Sequence, residues 1–214
     1  MNVLPELTRL FKKTPLYLIT DTAISGLSHA AMARQAVSAG IGTIQLRDKE
    51  MSKKALYKEA LVIREITRRH KALFIVNDHI DIALAADADG VHLGQEDMPA
   101  EEARRIMGKR KIIGISTHSL IQALKAQDAG ADYIGFGPMF HTSTKDAGRP
   151  KGTRTLGRIR AGINIPIVAI GGITWENVNE VLKAGADACA VASGILSGDI
   201  KANAEKYFKA IAQK

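Results

Sequence analysis

Four groups of residues in this 214-residue chain combine types and spacings that could do chemistry. In LFIVNDHIDIALAADADGVHLGQED, residues 73–97, an apolar run ends in Asn77-Asp78 and a second ends in Gln95 and Asp97. If both runs are strands, the residues between them, Ile80 to Ala88 and their flanks, make about the minimum crossover for a parallel βαβ unit. Both carboxylates then emerge from one edge of the sheet, on neighbouring strands roughly 5 Å apart. Two acids, an amide and an open approach suit a hard divalent cation that keeps some of its waters. Helix capping is the competing explanation, because Asp78 and Asp97 also stand just before helical patterns.

The second group is Gln45-Leu46-Arg47-Asp48-Lys49. Alternate residues of a strand share a face, so Gln45, Arg47 and Lys49 point one way. Two inward cations are costly unless an anion meets them. Arg can grip a phosphate with two parallel bonds, and Lys adds a point charge. Salt bridges to Asp78 or Asp97 would satisfy them equally well. The third group lies in residues 139–152, a long connection holding Thr142-Ser143-Thr144-Lys145. Hydroxyls, backbone amides and a lysine are the materials of an anion cradle. Gly148 and Gly152 would let such a loop close as a lid, although a merely solvated loop also fits. The fourth pairs Gly171-Gly172 with Ala192-Ser193-Gly194. Barrel folds often seat a phosphate on backbone amides at this place, and glycine permits close approach, although a tight turn alone would explain the glycines at either strand end.

These groups need a scaffold that gathers strand ends. Eight short β-rich runs alternate with helical ones: Leu16–Thr20, Thr43–Arg47, Leu73–Val76, Val91–Leu93, Ile112–Ser116, Tyr133–Gly137, Ile167–Ile170 and Ala188–Ala192. Helical patterns include Lys53–Arg69, Ser119–Ala129 and Glu176–Ala184, with apolar residues at three- and four-residue steps. A short amphipathic helix over residues 3–12 precedes them. Ser38-Ala39-Gly40, Asp128-Ala129-Gly130 and Lys183-Ala184-Gly185 stop helices at a glycine, and the last two run on identically into Ala-Asp. No composition shift suggests a second domain, so residues 1–214 read as one. The pattern fits a (β/α)₈ barrel or an open doubly wound sheet. The barrel is preferred, since it alone collects Asp21, Lys49, Asn77, Asp97, Ser116 and Ser193 around one cavity.

Composition narrows the function classes. The chain is 46% hydrophobic and 24% charged, ordinary for a soluble globular protein. No stretch has the roughly 18 unbroken apolar residues of a membrane span, and the start lacks a secretory signal's apolar run. The lone Cys189 sits in an apolar run, reads as a buried thiol, and fits a reducing cytoplasm. Thirty Lys and Arg against 22 Asp and Glu leave a charge of +8, spread over many helices. A dispersed basic surface without a binding module argues against nucleic acid and favours small anionic ligands. His92, mid-strand, reads as a hydrogen-bonded core histidine. His79, His118 and His141 stand near the strand ends without the spacing of a zinc site. Trp175, one residue after a Thr174 that reads as a helix cap, is assigned to packing.

Taken together, Gln45 to Lys49, Val76-Asn77-Asp78, Val91 to Gln95 with Asp97, Gly135 to Pro138, Thr142 to Lys145 and Ala169 to Ile173 resemble the thiamine phosphate synthase family, in order and at its spacing from about Leu16 to Ile195. The resemblance implies a cytoplasmic (β/α)₈ transferase that joins a hydroxymethylpyrimidine diphosphate to a thiazole phosphate, or its carboxylated form, and releases pyrophosphate. It implies that Gln45, Leu46, Arg47, Asp48, Lys49, Asn77, Ser116 and Lys145 hold the pyrimidine diphosphate. Of these, Arg47, Lys49, Ser116 and Lys145 would be the catalytic set. Thr142, Ser143, Thr144, Gly172, Ala192 and Ser193 would hold the thiazole phosphate, and Asp78 and Asp97 one Mg²⁺ per subunit. Its partners would be small phosphorylated substrates, with no nucleic acid and no membrane; a homo-oligomer is compatible with the sequence. His141, where a proline is common, and Ala188-Cys189, in place of a glycine-containing pair, depart from the pattern. A tautomerase-like paralogue and a phosphate-sensing barrel are the alternatives, and the former would tend to lose the metal and diphosphate residues retained here.

Overall fold

Period-two apolar runs separated by helical repeats produce an alternating βα chain, and a computed structural model describes residues 3–142 and 148–213 of it. Helix α1 (Val3–Lys13) leads to β1 (Leu16–Ile19), the short α2 (Thr22–Ser25) and α3 (His29–Ser38). Strand β2 (Thr43–Leu46) is followed by α4 (Lys53–His70), β3 (Leu73–Asn77) by α5 (Ile80–Ala85), and β4 (Gly90–Leu93) by α6 (Ala100–Met107). Next come β5 (Ile112–Thr117) with α7 (Leu120–Asp128), β6 (Tyr133–Phe136) with α8 (Gly152–Gly162), and β7 (Ile167–Ile170) with α9 (Val178–Lys183). Strand β8 (Ala188–Val191), α10 (Ser193–Leu196) and α11 (Ile200–Ala212) complete the order. All strands are parallel, and β8 pairs with β1, so the sheet closes into a barrel.

The eight strands lie within one residue of the expected runs at each end. Helix α9 departs from expectation. It begins at Val178, and Thr174 is no cap: Asn177 Oδ1 accepts from the Thr174 amide at 2.8 Å. Trp175 is 46% exposed, so the packing assignment fails as well. No helix among the described residues is long and apolar enough to cross a membrane.

Alternation along each strand separates two apolar layers. Leu16, Leu18, Ile44, Leu46, Phe74 and Val76 face outward and pack under the helices. Tyr17, Ile19, Ile75, Ile112, Tyr133 and Val168 fill the barrel interior. Helix α1 stops the lower end with Leu7 and Phe11, the Phe11 ring meeting Tyr133 edge-on at 6.0 Å.

The Ala-Asp repeat has a structural cause at that lower end, where three carboxylates act alike. Asp89, Asp132 and Asp187 stand just before or at the entry to β4, β6 and β8. They accept from the amides of Phe74, Ile113 and Ile167 at the start of the preceding strand, at 2.8–2.9 Å. Each also pairs with an arginine of an earlier helix: Arg64 of α4, Arg104 of α6 and Arg160 of α8. One aspartate thus joins two strands and a helix. Replacing Asp132 by Ala strands the Ile113 amide and the Arg104 guanidinium, at a cost of about 2–4 kcal/mol. We expect Asp132→Ala to lower Tm by about 4–15 °C while turnover at low temperature is retained. Thermal melting beside activity at 20–25 °C checks this; an unchanged Tm would remove the clamp from the fold's essential contacts.

Candidate active site

The C-terminal ends of the strands surround a cavity of about 510 Å³, lined by Arg47, Ser116, His118, Thr142, Gly172 and Ser193 among others. A larger hollow, about 960 Å³, lies at the opposite end between α1 and the starts of β3 and β5. Barrels carry chemistry at the C-terminal face, where loops vary without disturbing the strands, so the smaller cavity is the candidate site.

On β2 the alternation decides which residues reach it. Gln45 is buried in the interior, with its Nε2 bonded to the Tyr17 hydroxyl at 2.7 Å. Arg47 lines the cavity, and Lys49 lies close enough to Asp78 to bias its charge. Neither cation is ion-paired among the described residues, so the salt bridges that the sequence allowed are not formed. Leu46 and Asp48 are not brought to the cavity by their side chains. Leu46 packs in the outer layer. Asp48 Oδ2 meets Nε2 of the buried His29 at 3.0 Å, and its Oδ1 accepts from the amides of Glu50 and Met51. Burial opposes the Asp48 charge, but His29 and the two amides outweigh it and hold its pKa below the usual carboxylate range. His29 was not singled out from the sequence. It lies 19 residues from Asp48, and only the fold joins them.

Asp78 and Asp97 come close enough for each carboxyl to act on the other. Neither caps a helix. The residues before α5 and α6 are His79 and Pro99, and neither makes a side-chain cap. Asp78 instead occupies left-handed backbone, φ 62°, with its amide bonded to the His92 carbonyl. Asp97 Oδ2 accepts from the Gly94 amide at 2.7 Å and fixes the turn after β4. Burial first, then the Asp97 charge, push the Asp78 carboxyl above its ordinary pKa, while Lys49 works the other way. Two carboxylates pressed together, with no ion-paired cation among the described residues, have the donor set of a divalent-cation site. Among the described residues no group of three or more His, Cys, Asp or Glu assembles a fuller ligand set. Asn77 ends β3 beside the pair, level with His92 of β4.

The far side of the mouth is laced together by backbone. Met139 and Phe140 donate to the carbonyls of Ile170 and Gly171, and Lys151 and Gly152 close the base of the 139–152 loop onto Pro138 and Met139. A Cβ at Gly172, φ 64°, would stand 2.5 Å from the His141 carbonyl, so only glycine fits there. Asn177 Nδ2 holds the Gly172 carbonyl at 3.1 Å. The buried Tyr207 of α11 donates to the Ile173 carbonyl at 2.9 Å, and its hydroxyl fills the space a Cβ on Gly194 would need. One tyrosine therefore braces the ends of both β7 and β8. Thr142, Gly172, Ala192 and Ser193 all border the cavity here. Ser143, Thr144 and Lys145 lie outside the described residues.

These features define a (β/α)₈ barrel with one polar mouth carrying separate cationic and anionic groups. The sequence profile described as thiamine monophosphate synthase matches residues 16–195. A thiamine-phosphate synthase of Chloroflexus aurantiacus is 46% identical over 92% of this chain and 91% of its own. That of Lawsonia intracellularis is 48% identical over 85% of each chain. The solved thiamine phosphate pyrophosphorylase of Pyrococcus furiosus superposes with a TM-score of 0.88 at 41% identity, covering 95% of this chain and 98% of that one. The chain belongs to the thiamine monophosphate synthase family.

The acid pair generates a prediction that does not depend on activity. Because folding raises the Asp78 pKa, the folded state binds more protons across that window. Stability therefore falls as pH rises through it, and the full penalty persists above it. At neutral pH, Mg²⁺ should offset the repulsion and raise Tm of the wild type. Asp97→Asn keeps an acceptor for Gly94 and removes one charge, so without Mg²⁺ it should melt no lower than the wild type and gain little from the ion. A wild-type Tm indifferent to millimolar Mg²⁺ would exclude this pair as the cation site.

Proposed function

We propose that the chain is a thiamine-phosphate synthase, condensing 4-amino-2-methyl-5-(hydroxymethyl)pyrimidine diphosphate with a thiazole phosphate and releasing pyrophosphate. The observation that carries this reading is the division of one mouth into two unlike halves. Lys49 stands near the Asp78–Asp97 pair on one side, and on the other a glycine- and hydroxyl-lined cavity, which Arg47 also borders, lies at the ends of β7 and β8. Two phosphorylated substrates with their reacting ends between the halves account for both.

In this reading Arg47, Lys49, Asn77, Ser116 and Lys145 hold the pyrimidine diphosphate, with Gln45 beneath the ring. Asp48 and Leu46 act from behind the strand, Asp48 by anchoring the loop that carries Lys49. Thr142, Ser143, Thr144, Gly172, Ala192 and Ser193 receive the thiazole phosphate. Asp78 and Asp97 would hold Mg²⁺, which when bound supplies positive charge beside the diphosphate. Arg47, Lys49 and Lys145 neutralise the charge that grows on the leaving oxygens. The aminopyrimidine spreads positive charge from its methylene carbon, so the diphosphate departs before the new bond forms. The thiazole nitrogen, fixed through its distant phosphate, then attacks at short range. The 139–152 loop, closed at its base, keeps water from the cation. Small-molecule phosphates are the partners, and the chemistry suits the cytoplasm.

Mixing both substrates with Mg²⁺ should release pyrophosphate in step with thiamine phosphate. Asp78→Asn and Asp97→Asn should each lower turnover at least about a hundredfold with the fold retained; no release from the wild type would overturn the assignment. The order of bond breaking is tested separately. Replacing the pyrimidine's methyl by CF₃ destabilises the cation but changes size little. Turnover should fall by orders of magnitude at nearly constant binding, and a normal rate would rule out departure of the diphosphate first.

A further inference from the structure

A chain of hydrogen bonds crosses the barrel interior from β2 to β5. Gln45 Nε2 donates to the Tyr17 hydroxyl at 2.7 Å, and the Tyr17 and Tyr133 hydroxyls are 3.0 Å apart. The Tyr133 hydroxyl lies 3.0 Å from His92 Nδ1, and His92 Nε2 lies 2.9 Å from Ser116 Oγ. Each ring nitrogen of His92 thus has a single hydroxyl partner, so a neutral imidazole satisfies both by donating through one nitrogen and accepting through the other.

Each inner member has one proton to give and two partners to satisfy. A hydroxyl or neutral imidazole in that position donates to one neighbour and accepts from the other. The protons must therefore all run the same way, and the chain has only two states. The Gln45 end chooses between them. With the amide nitrogen toward Tyr17, Tyr17 donates to Tyr133, Tyr133 donates to His92 Nδ1, and His92 Nε2–H donates to Ser116 Oγ. The Ser116 proton is then left for the cavity that Ser116 lines. Gln45 Oε1, at the other end, accepts from no described residue.

We propose that this chain sets substrate specificity by presenting an acceptor at Gln45 and a donor at Ser116, and so selects a ring with an exocyclic amine and an unprotonated ring nitrogen. The proposal rests on the aminopyrimidine reading above. The oxo analogue of the ring carries a carbonyl and a ring N–H in those places, which reverses both bonds. A site built to hydrogen-bond one pattern discriminates strongly against the other, because its own polar groups are left unpaired. Tyr17, Tyr133 and His92 touch no substrate in this scheme and act as positioning residues through Ser116.

The wild-type protein gives the first test. Long-range ¹H–¹⁵N spectra, with the His92 signal assigned by its loss in His92→Gln, should show the Nε2–H tautomer throughout pH 6–8. An Nδ1–H tautomer reverses the chain and overturns the proposal, whether or not the enzyme releases pyrophosphate. The second test measures binding of the amino and oxo pyrimidine diphosphates by calorimetry with thiazole phosphate withheld, which separates recognition from chemistry. The wild type should prefer the amino form at least about a hundredfold, while Tyr133→Phe, which removes one hydroxyl, should lose about tenfold or more of that preference. Its KM for the thiazole phosphate should not move. A folded Tyr133→Phe protein with undiminished preference would overturn the proposal. Absence of pyrophosphate release by the wild type would instead overturn the functional reading.

Discussion

The interior of an eight-stranded barrel is just wide enough to be filled by side chains, and here the two largest of them are tyrosines. Tyr17 and Tyr133 are both buried and meet hydroxyl to hydroxyl across the barrel. Their volume dictates what the other strands contribute. A Cβ at Gly114 would stand 2.1 Å from the Tyr133 ring, and one at Gly135 would stand 2.9 Å from the His92 ring. Strand β8 offers only Ala188 and Ala190 to the same space. Burying two phenols also requires partners for their hydroxyls, since an unbonded one costs about 1–3 kcal/mol. Gln45 and His92 meet that need, and His92 carries the connection to Ser116 in the mouth. Core packing and the floor of the site are therefore one structure.

The two ends of the barrel treat charge in opposite ways. At the lower end, arginines and aspartates satisfy each other and the first amides of the strands, leaving little to offer a ligand. At the upper end Arg47 and Lys49 form no ion pair with any described residue, and Asp78 and Asp97 crowd each other. Such an arrangement is unfavourable in the free protein and becomes favourable when complementary charge arrives. The clamps below and the tyrosine braces within supply the stability that lets the mouth stay unsatisfied.

Strand ends and their polar residues were legible because a period of two is local: Gln45, Arg47 and Lys49 face one way by geometry alone. That same rule, applied strictly, turns Leu46 and Asp48 away, although motif likeness had grouped all five. Contacts between distant residues were not legible. Tyr17 and Tyr133 are 116 residues apart, and nothing local in either strand says that they meet. Tyr207 of α11 reaches the turns after β7 and β8 only once the barrel closes. The Ala-Asp repeat was visible, but its meaning required the arginines that pair with it. Asp78 and Asp97 looked like helix caps because acids commonly precede helices, and the capping reading failed because each helix starts later than its acid. Thr174 misled for the same reason.

The absence of a side-chain nucleophile from the proposed chemistry is consistent with where Cys189 sits. It faces outward on β8 into the layer beneath the helices, while Ala188 and Ala190 take the inward positions. Burial also pushes its thiol pKa well above the usual range, which disfavours the reactive thiolate. A reaction that proceeds through an unbonded carbon cation asks something different of the protein. It needs fixed charge near the leaving group and a neighbouring substrate held at reacting distance, where an error of 1 Å can cost about a hundredfold. Rigid positioning is what Tyr207, Asn177 and the backbone lacing between β6 and β7 provide on the side proposed for the thiazole, and what the tyrosine–histidine chain provides beneath the place proposed for the pyrimidine. On this view the residues least like catalysts set the distance between the two substrates, and the charged residues act only once that distance is set.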